Sequence, residues 1–249
     1  MDVLEDLLWL SRNLGDRSSN LAILAEGNAS ARDAEKFWVK ASGHELRTLS
    51  KDGLSKLDLG ATITYLDQAN LTDEELHIAL EILSPGKRPS VEAFMHAALL
   101  AIEGVNFVAH THPVALLSLL CVEGAEDIAR SRLFPDEIVC CGPEAVYVEY
   151  ADPGLPLAQA VRLRVESYME RWGERPQTIW LENHGLVTLG ATAKEALAAT
   201  LMQEKAARVW LGSLSQKTSI RTLTSEQISR IHTRPDEHYR QQLLRQLTQ

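Results

Sequence analysis

The chain has 249 residues, of which 45% are hydrophobic and 24% are charged, and these proportions exclude a disordered or collagen-like protein. Its 34 acidic and 25 basic residues give a formal net charge of −9, which argues against broad binding to nucleic acid or to an anionic membrane. The three cysteines, Cys121, Cys140 and Cys141, form no CxxC pair, and we predict free thiols in a reducing cytosol.

The N-terminal segment and the apolar stretches predict where the protein resides. The first residues are acidic where a secretory signal would be basic, and no apolar segment follows them. The longest apolar stretch, 113–122, has about half the length of a membrane-spanning helix. We therefore expect a cytoplasmic protein with a small-molecule substrate and without nucleic-acid or membrane partners.

Apolar spacing and capping signals predict alternating helices and strands, the pattern of an α/β layered domain. At the start of the chain, leucines on one face and a glycine cap predict a helix over 2–14. Thr72 and Glu75 match a capping box for a helix that ends before a Pro-Gly pair. Ser90 is a candidate cap for a further helix that reaches about residue 103.

The remaining elements follow from the same signals, and no linker is evident, so we predict one domain over 1–249 with a peripheral helical tail at about 222–249. Strands are predicted over 21–25, 36–41, 105–110, 145–149, 178–181 and 186–189, with the turn-rich segment GNASARDAE joining the first two. Helices are predicted from 113, over 157–171, over 192–211 and as two weaker stretches after 222.

Two histidines at the end of a predicted strand form the sharpest local feature, His110-Thr111-His112. Side chains at positions i and i+2 of a strand point to the same face. Both imidazoles can therefore reach one divalent metal, and imidazole suits zinc. The alternative is structural, with one imidazole capping the strand end and the other hydrogen-bonding to a loop.

A third histidine and a carboxylate lie elsewhere in the chain. His184 sits in a turn between two predicted strands, and Glu92 lies in the first turn of a helix. Each alone has a structural interpretation, as a turn residue and as an acid that complements the helix dipole. With His110 and His112 they make a set typical of a catalytic zinc site with an exchangeable position. His96, on the same helix face as Glu92, is assigned to packing or support of the site.

Small polar residues that follow strands or begin a helix form a second candidate site, one for an anion. Backbone N–H groups and hydroxyls at such positions bind anions. The residues concerned are Gly27, Asn28, Ser42, Gly43 and Ser90. Each piece alone is a common turn, and the nearby Lys40, Lys87 and Arg88 are either local positive charge or solvated surface.

The chain resembles the class II aldolase/adducin family in a series of motifs that occur in the same order over roughly residues 20–205. The motifs are EGNASAR, WVKASGHEL, KRPSVEAFMHAAL, NFVAHTHPVALL, GLPLA and LENHGLVTLGATAKEAL. The sequence is similar to fuculose- and rhamnulose-phosphate aldolases, especially the aldolase portion of bifunctional rhamnulose-phosphate aldolase/dehydrogenase proteins. This resemblance implies a three-layer α/β/α sandwich with a central mixed, largely antiparallel sheet, assembled as a homotetramer.

The resemblance also implies roles for single residues. The positions that match the zinc ligands are His110, His112 and His184. The positions that match the substrate phosphate pocket are Gly27, Asn28, Ser42, Gly43 and Ser90. Glu92 matches the acid that contacts zinc at rest and then transfers protons. Together they imply a Zn²⁺-dependent aldolase that reversibly cleaves a sugar phosphate or related hydroxy-ketone through a metal-stabilised enediolate, although another divalent metal fits imidazole ligands as well.

One position departs from the family pattern. The phosphate-binding aldolases read Pro-Ser-Ser-Glu before the helix, and this chain has Val91 in place of the second serine. A hydrogen bond to a charged group contributes about 1.5–3 kcal/mol, so we predict weaker or absent phosphate binding. Tyr150 and Tyr239 are candidates for the family's catalytic tyrosine, with an ordinary half-buried tyrosine as the alternative for both.

Three other interpretations stay open at this point. The same metal site supports a pentulose-phosphate 4-epimerase or a decarboxylase. A non-catalytic adducin-like scaffold would keep the fold and lose the metal, although the presence of all three histidines and Glu92 weighs against it. The last is an unrelated α/β protein in which the histidines are structural.

Overall fold

A seven-stranded sheet forms the centre of the protein in a computed structural model that describes residues 2–68, 71–216 and 218–235. The strands are β1 (Asn28–Asp33), β2 (Lys36–Lys40), β3 (Leu54–Asp58), β4 (Phe107–Thr111), β5 (Val146–Val148), β6 (Thr178–Leu181) and β7 (Gly185–Gly190). Their order across the sheet is β3-β2-β1-β4-β7-β6-β5. All neighbours pair antiparallel except β5 and β6, which pair parallel. The expected mixed, largely antiparallel sheet is confirmed.

Ten α-helices surround this sheet in the described part of the chain. They are α1 (Val3–Leu14), α2 (Leu59–Ile63), α3 (Asp73–Leu83), α4 (Ala93–Leu100), α5 (Val114–Leu120), α6 (Ala125–Arg130), α7 (Pro135–Cys141), α8 (Leu155–Trp172), α9 (Ala193–Leu214) and α10 (Ser225–His232). Short 3₁₀ segments lie at Arg17–Ser19, Lys51–Gly53 and Thr64–Asp67. Helices α3, α9 and α10 each begin with a capping box, which confirms the Thr72–Glu75 prediction.

The helices cover both faces of the sheet, which confirms the predicted three layers. On one face, Val108 of β4 and Val187 of β7 belong to an apolar cluster with residues of α2, α3, α4 and α8. On the other face, Ala29 of β1 and Phe107 of β4 pack with α1 and the start of α9. A third cluster continues on this second face, where Trp180 of β6 packs with α5 and α9. Alternate residues of each strand therefore face different helix layers.

The pairing of β1 with β4 sets the position of the polar residues described below. In this register Asn28 lies opposite His110, and Ser30 lies opposite Val108. The neighbouring residues Ala29 and Ala31 face the layer that contains α1, so Asn28 and Ser30 face the layer that contains α4. The start of β1, the end of β4 and the start of α4 therefore lie together at one end of these central strands.

The largest error of the sequence prediction concerns the segment before β2. The predicted strand over 21–25 is not a strand, because Leu24 adopts a left-handed turn conformation with φ of 52°. The segment predicted as a turn-rich link instead contains β1, the strand that pairs with both β2 and β4. Its small residues look like turn formers in sequence, yet they fit a strand buried on both faces, where α1 and α4 approach closely.

Other boundaries differ less. Helix α4 begins at Ala93 with Glu92 as the N-terminal cap residue, so Ser90 lies before the helix rather than capping it. The sequence prediction missed β3, α2, α6 and α7, all of them short. The remaining predicted strands and helices are present with shifts of one to three residues at most ends.

The predicted helical tail at about 222–249 contains α10, and the part of it over 236–249 lies outside the described residues. The organisation of the chain as one domain stays a prediction. Cys121, Cys140 and Cys141 all lie in the described residues, and they form no disulfide bond there. Within the described ranges, none of the helices combines the length and the apolar character needed to cross a bilayer.

Candidate metal centre

Three imidazoles from two distant parts of the chain converge at one end of the central strands. His110 is part of β4, His112 follows that strand, and His184 lies in the turn between β6 and β7. One potential ligand nitrogen from each ring lies within 4.8 Å of the others. The ring centroids are 4.8 to 5.3 Å apart, and the rings meet edge to face. The structure therefore brings together the three predicted metal ligands.

The local backbone explains this convergence. His110 and His112 stand two residues apart at the end of β4, which directs both rings to one side. The turn that carries His184 is tight, because Asn183 adopts a left-handed φ of 51°. Gly185 follows, and a Cβ atom there would lie 2.5 Å from the Thr111 carbonyl oxygen. A glycine is required at this point for β7 to approach β4 so closely.

In His110 and His112 the two ring nitrogens have different surroundings. Nε2, the inner nitrogen, faces the neighbouring imidazole, and Nδ1, the outer nitrogen, faces an oxygen outside the cluster. The Nδ1 atom of His110 donates to the Leu186 carbonyl oxygen at 3.0 Å, and the Nδ1 atom of His112 lies 3.4 Å from Oε2 of Glu26. Both outer nitrogens face acceptors and hence carry the proton, so the Nε2 atoms carry lone pairs. These two Nε2 atoms are 3.1 Å apart.

Glu92 joins the imidazoles from the start of α4. Its Oε1 atom lies 3.2 Å from Nε2 of His184 and 3.5 Å from Nε2 of His110. Its Oε2 atom accepts a hydrogen bond from Nδ2 of Asn28 at 2.6 Å. The carboxyl group is buried, with 7% of the residue exposed. The predicted three-histidine-plus-carboxylate set is thus a real cluster in space.

The electrostatics of the cluster favour neutral imidazoles beside an ionised carboxylate. Burial lowers the pKa of His110 to about 3, although Glu92 opposes that shift. Burial acts to raise the pKa of Glu92, but His110, His184 and the Asn28 amide outweigh it and hold the pKa well below its ordinary value. At neutral pH the His110 ring is therefore neutral and can donate a lone pair, and the Glu92 carboxylate carries a negative charge.

This arrangement fits a divalent cation. The lone pairs of two Nε2 atoms and the negative oxygen of Glu92 face one another, and such groups repel each other unless a proton or a cation lies between them. Neutral imidazole nitrogens with a nearby carboxylate are the ligands that a catalytic zinc site uses. The donor chemistry of His110, His112 and His184 therefore suits zinc, and it suits other first-row divalent metals as well.

His96 supports this cluster through Asn28 and does not join it. The side chain is fully buried, and its Nδ1 atom lies 2.6 Å from the Ser30 hydroxyl oxygen. Its Nε2 atom makes a short hydrogen bond to Oδ1 of Asn28, which fixes the amide so that Nδ2 points at Glu92. The expected supporting role agrees with these contacts. In sequence Ser30 belongs to the small polar segment that begins at Gly27 and is expected to help bind an anion, whereas the structure buries it in β1 beside His96.

The predicted anion-binding residues divide into two groups. Gly27 and Asn28 lie beside the histidines, and the Ser90 hydroxyl accepts a hydrogen bond from Nδ2 of Asn28 at 3.3 Å. Gly27 has a φ of 66°, and a Cβ atom there would lie 2.7 Å from the His110 carbonyl oxygen. Ser42 and Gly43 are exposed on the neighbouring loop.

Backbone contacts connect these two groups. The loop after β2 pairs with the segment before α4 through a bridge between Ala41 and Pro89. The N–H group of Ser42 donates to the Arg88 carbonyl oxygen at 2.9 Å. The two loops therefore lie side by side at the edge of the cluster.

Lys40 differs from the sequence expectation of a solvated lysine. It is buried, and its Nζ atom donates to the carbonyl oxygens of Ala25 at 2.9 Å and His44 at 2.7 Å. Burial lowers the pKa of Lys40, and the charge of Glu92 opposes that shift. Lys40 thus ties the segment before β1 to the loop after β2. Lys87 and Arg88 are exposed, as one alternative predicted.

Two further predicted positions are placed as follows. Val91 is partly buried against the apolar cluster below α4, so its side chain packs and adds no hydrogen bond. Tyr150 is 56% exposed rather than half-buried, and its hydroxyl donates to Asp152 at 3.0 Å. Tyr239 lies outside the described residues.

Comparison with known proteins identifies the family. The model of the class II aldolase and adducin N-terminal domain matches residues 5–211, and the chain belongs to this family. It is 26% identical over 208 residues to a protein of Methanococcus maripaludis named L-fuculose phosphate aldolase, covering 83% of this chain and 94% of the relative.

Two further relatives extend the comparison. The chain is 29% identical over 175 residues to the uncharacterized oxidoreductase YuxG of Bacillus subtilis, covering 68% of this chain and only 23% of that longer protein. The N-terminal class II aldolase domain of a conserved protein from Thermoplasma acidophilum has the same fold, with a TM-score of 0.68 and 26% identity. This match covers 85% of the present chain and 94% of the other.

The close approach at Gly185 generates a prediction for stability. Gly185→Ala would place a Cβ atom 2.5 Å from the Thr111 carbonyl oxygen and 2.8 Å from Cδ2 of His112. We expect a loss of about 1–3 kcal/mol in the free energy of unfolding, as for other overpacked sites, measured by urea denaturation. The control is Gly212→Ala in α9, where no atom lies within 4 Å and alanine should stabilise by up to about 1 kcal/mol. Equal stability of the two variants would contradict the steric argument.

Proposed function

We propose that this protein is a metal-dependent aldehyde-lyase, with zinc as the favoured metal, that reversibly cleaves a sugar phosphate or a related hydroxy-ketone. One observation carries the proposal, namely the convergence of His110, His112 and His184 with the Glu92 carboxylate. The family relationship and the name of the Methanococcus maripaludis relative agree with it.

The three imidazoles would hold the cation. Burial lowers the pKa of His110 to about 3, so this ring is neutral at neutral pH, and neutral ligands would leave a bound divalent metal its full positive charge. Such a metal supplies Lewis acidity, which polarises a ketone carbonyl and stabilises negative charge on its oxygen. The Leu186 carbonyl fixes the ring of His110 from behind, which prepares this ligand before the metal arrives.

Glu92 would move the proton at the carbon next to the carbonyl. Its carboxylate is ionised, and Oε1 lies 3.2 Å from Nε2 of His184, so the base is adjacent to the imidazoles that would hold the metal. The Asn28 amide holds Oε2, which leaves Oε1 directed to the reaction site. In the cleavage direction the carbon–carbon bond would break as the hydroxyl group that becomes the aldehyde carbonyl loses its proton, and the carboxyl group that takes up this proton would deliver it to the α-carbon of the ketone fragment.

The loops beside the metal centre would bind the rest of the substrate. Gly27 and Ser90 adjoin Asn28, and the exposed Ser42 and Gly43 form the far side of the same edge. These backbone and hydroxyl groups can bind a phosphate or several sugar hydroxyls. Val91 removes one donor from this set, so we propose that hydroxyl recognition contributes a larger share of binding here than in phosphate-specific relatives.

A metal-analysed preparation screened against ketose phosphates and their unphosphorylated forms tests the function. We expect aldehyde release that disappears after treatment with a chelator and returns with Zn²⁺. Formation of a C4 epimer or of carbon dioxide without net aldehyde release would replace the aldolase with the epimerase or decarboxylase alternative. A preparation that neither binds metal nor turns over any ketose would point to an adducin-like scaffold.

The proposed role of Glu92 generates a sharper prediction. Glu92→Gln should keep the fold and the bound metal but slow proton exchange at the α-carbon of the ketone fragment by about 100-fold or more. Deuterium incorporation from heavy water, followed by NMR, measures this rate. Glu35→Gln, at an exposed turn, is the control and should exchange at the original rate. Unchanged exchange in Glu92→Gln with zinc bound would show that another group moves the proton.

The departure at Val91 generates a prediction for substrate choice. Val91→Ser should lower KM for phosphorylated ketoses by about tenfold, since a hydrogen bond to a charged group contributes about 1.5–3 kcal/mol. KM for the unphosphorylated forms should stay constant. Val91→Ala, which removes the same apolar contacts without adding a hydroxyl, is the control. Equal changes for both classes of substrate would mean that residue 91 does not contact the phosphate.

A further inference from the structure

We propose that Glu26 is a positioning residue of the metal centre, which orients His112 and places a negative charge behind that ligand. The inference rests on the proposed metal-dependent function, and it concerns a residue to which the sequence motifs gave no role. The proposal follows from the contacts of Glu26, from the contrast with the other two histidines, and from the segment that carries it.

The Glu26 carboxylate is fixed by two contacts. Its Oε2 atom lies 3.4 Å from Nδ1 of His112. Its Oε1 atom accepts the Ile23 N–H group at 2.7 Å. The side chain is 30% exposed and that of His112 is 23% exposed, so the pair is partly shielded from water. With both oxygens engaged, the carboxylate presents a fixed acceptor to the outer nitrogen of the ring.

The outer nitrogens of the three histidines have different partners. His110 donates to the neutral Leu186 carbonyl, whereas Nδ1 of His184 is buried without a hydrogen-bond partner in the part of the chain that the structure describes. His112 alone faces a carboxylate in this way. A carboxylate behind a metal-bound imidazole fixes its tautomer and raises its basicity, which strengthens metal binding. Glu26 would therefore make His112 a stronger donor than its two neighbours.

The segment that carries Glu26 is also attached to His112 through the backbone. The Leu21 carbonyl oxygen accepts the His112 N–H group at 2.8 Å, and the Glu26 N–H group donates to the Ile23 carbonyl oxygen at 3.2 Å. The left-handed residue Leu24 closes this turn. Gly27 and Asn28 follow directly. The turn that carries Glu26 thus contacts His112 on the side away from the other imidazoles, and it continues into Gly27 and Asn28 beside Glu92.

Zinc affinity of the full chain tests this role, measured by competition with a chromophoric chelator at fixed pH. Glu26→Ala should bind zinc about 10-fold to 100-fold more weakly, the usual effect of losing such a partner. Glu26→Gln keeps a polar side chain of nearly the same shape with one acceptor oxygen in place of two, and it loses the charge, so its affinity should lie between those of Glu26→Ala and the original chain. Thermal melting of the metal-free variants shows whether each one folds.

Glu174→Ala is the matched control. Glu174 also contacts an imidazole, that of His232 at 2.7 Å, with a similar exposure of 38%, but this pair lies outside the histidine cluster. Its loss should leave zinc affinity unchanged.

The outcomes separate this inference from the proposed function. A loss of affinity in Glu26→Ala of about fivefold or more relative to Glu174→Ala, with recovery in Glu26→Gln, supports the positioning role. Tight binding by the original chain with a smaller loss in Glu26→Ala, or no recovery in the glutamine variant, overturns the role and leaves the function intact. If the original chain binds no zinc, the metal-dependent function and this role both fail.

Discussion

The candidate site depends on one electrostatic constraint, the close approach of several electron-rich nitrogen and oxygen atoms in the histidine cluster. The inner nitrogens of His110 and His112 and a carboxylate oxygen of Glu92 face each other with their lone pairs. The fold keeps these groups together although they repel one another, because each is held from behind by a hydrogen-bond acceptor, a donor or a helix start. A cation at this point would convert the repulsion into attraction, and this is the physical basis for proposing a metal centre here.

The layers around the sheet serve this arrangement. The small residues of β1 let α1 and α4 approach from opposite faces, which places the first residue of β1 against the start of α4. Fully buried His96 then connects Ser30 and Asn28, and Asn28 reaches Glu92. Gly27 and Gly185 carry no side chain, so the segments that contain them can lie against the backbone at the end of β4, where a Cβ atom would clash. Glu92, the proposed catalytic group, is thus anchored by the core, while the loop with Ser42 and Gly43, which we propose binds substrate, lies at the surface.

Membership of the class II aldolase and adducin N-terminal domain family defines the fold and leaves the reaction to be decided by the site. The proposed metal centre and the proposed anion-binding loops are separate parts of that site. The cluster is complete, whereas Val91 replaces a hydroxyl donor in the loops. This combination supports the proposal of aldolase chemistry at the carbonyl together with an altered preference for the distal part of the substrate.

The sequence by itself determined the periodic helices, the strands that end at His110 and before His184, and the residue types suited to zinc, because these depend on local spacing and on side-chain chemistry. Only the tertiary structure decided that GNASARDAE contains a central strand, since small residues favour turns locally and become strand residues when two helices press against them. It also decided that Glu26 stands behind His112 and that Lys40 is buried. Such contacts join segments whose proximity depends on how the sheet pairs, which no short stretch of sequence encodes.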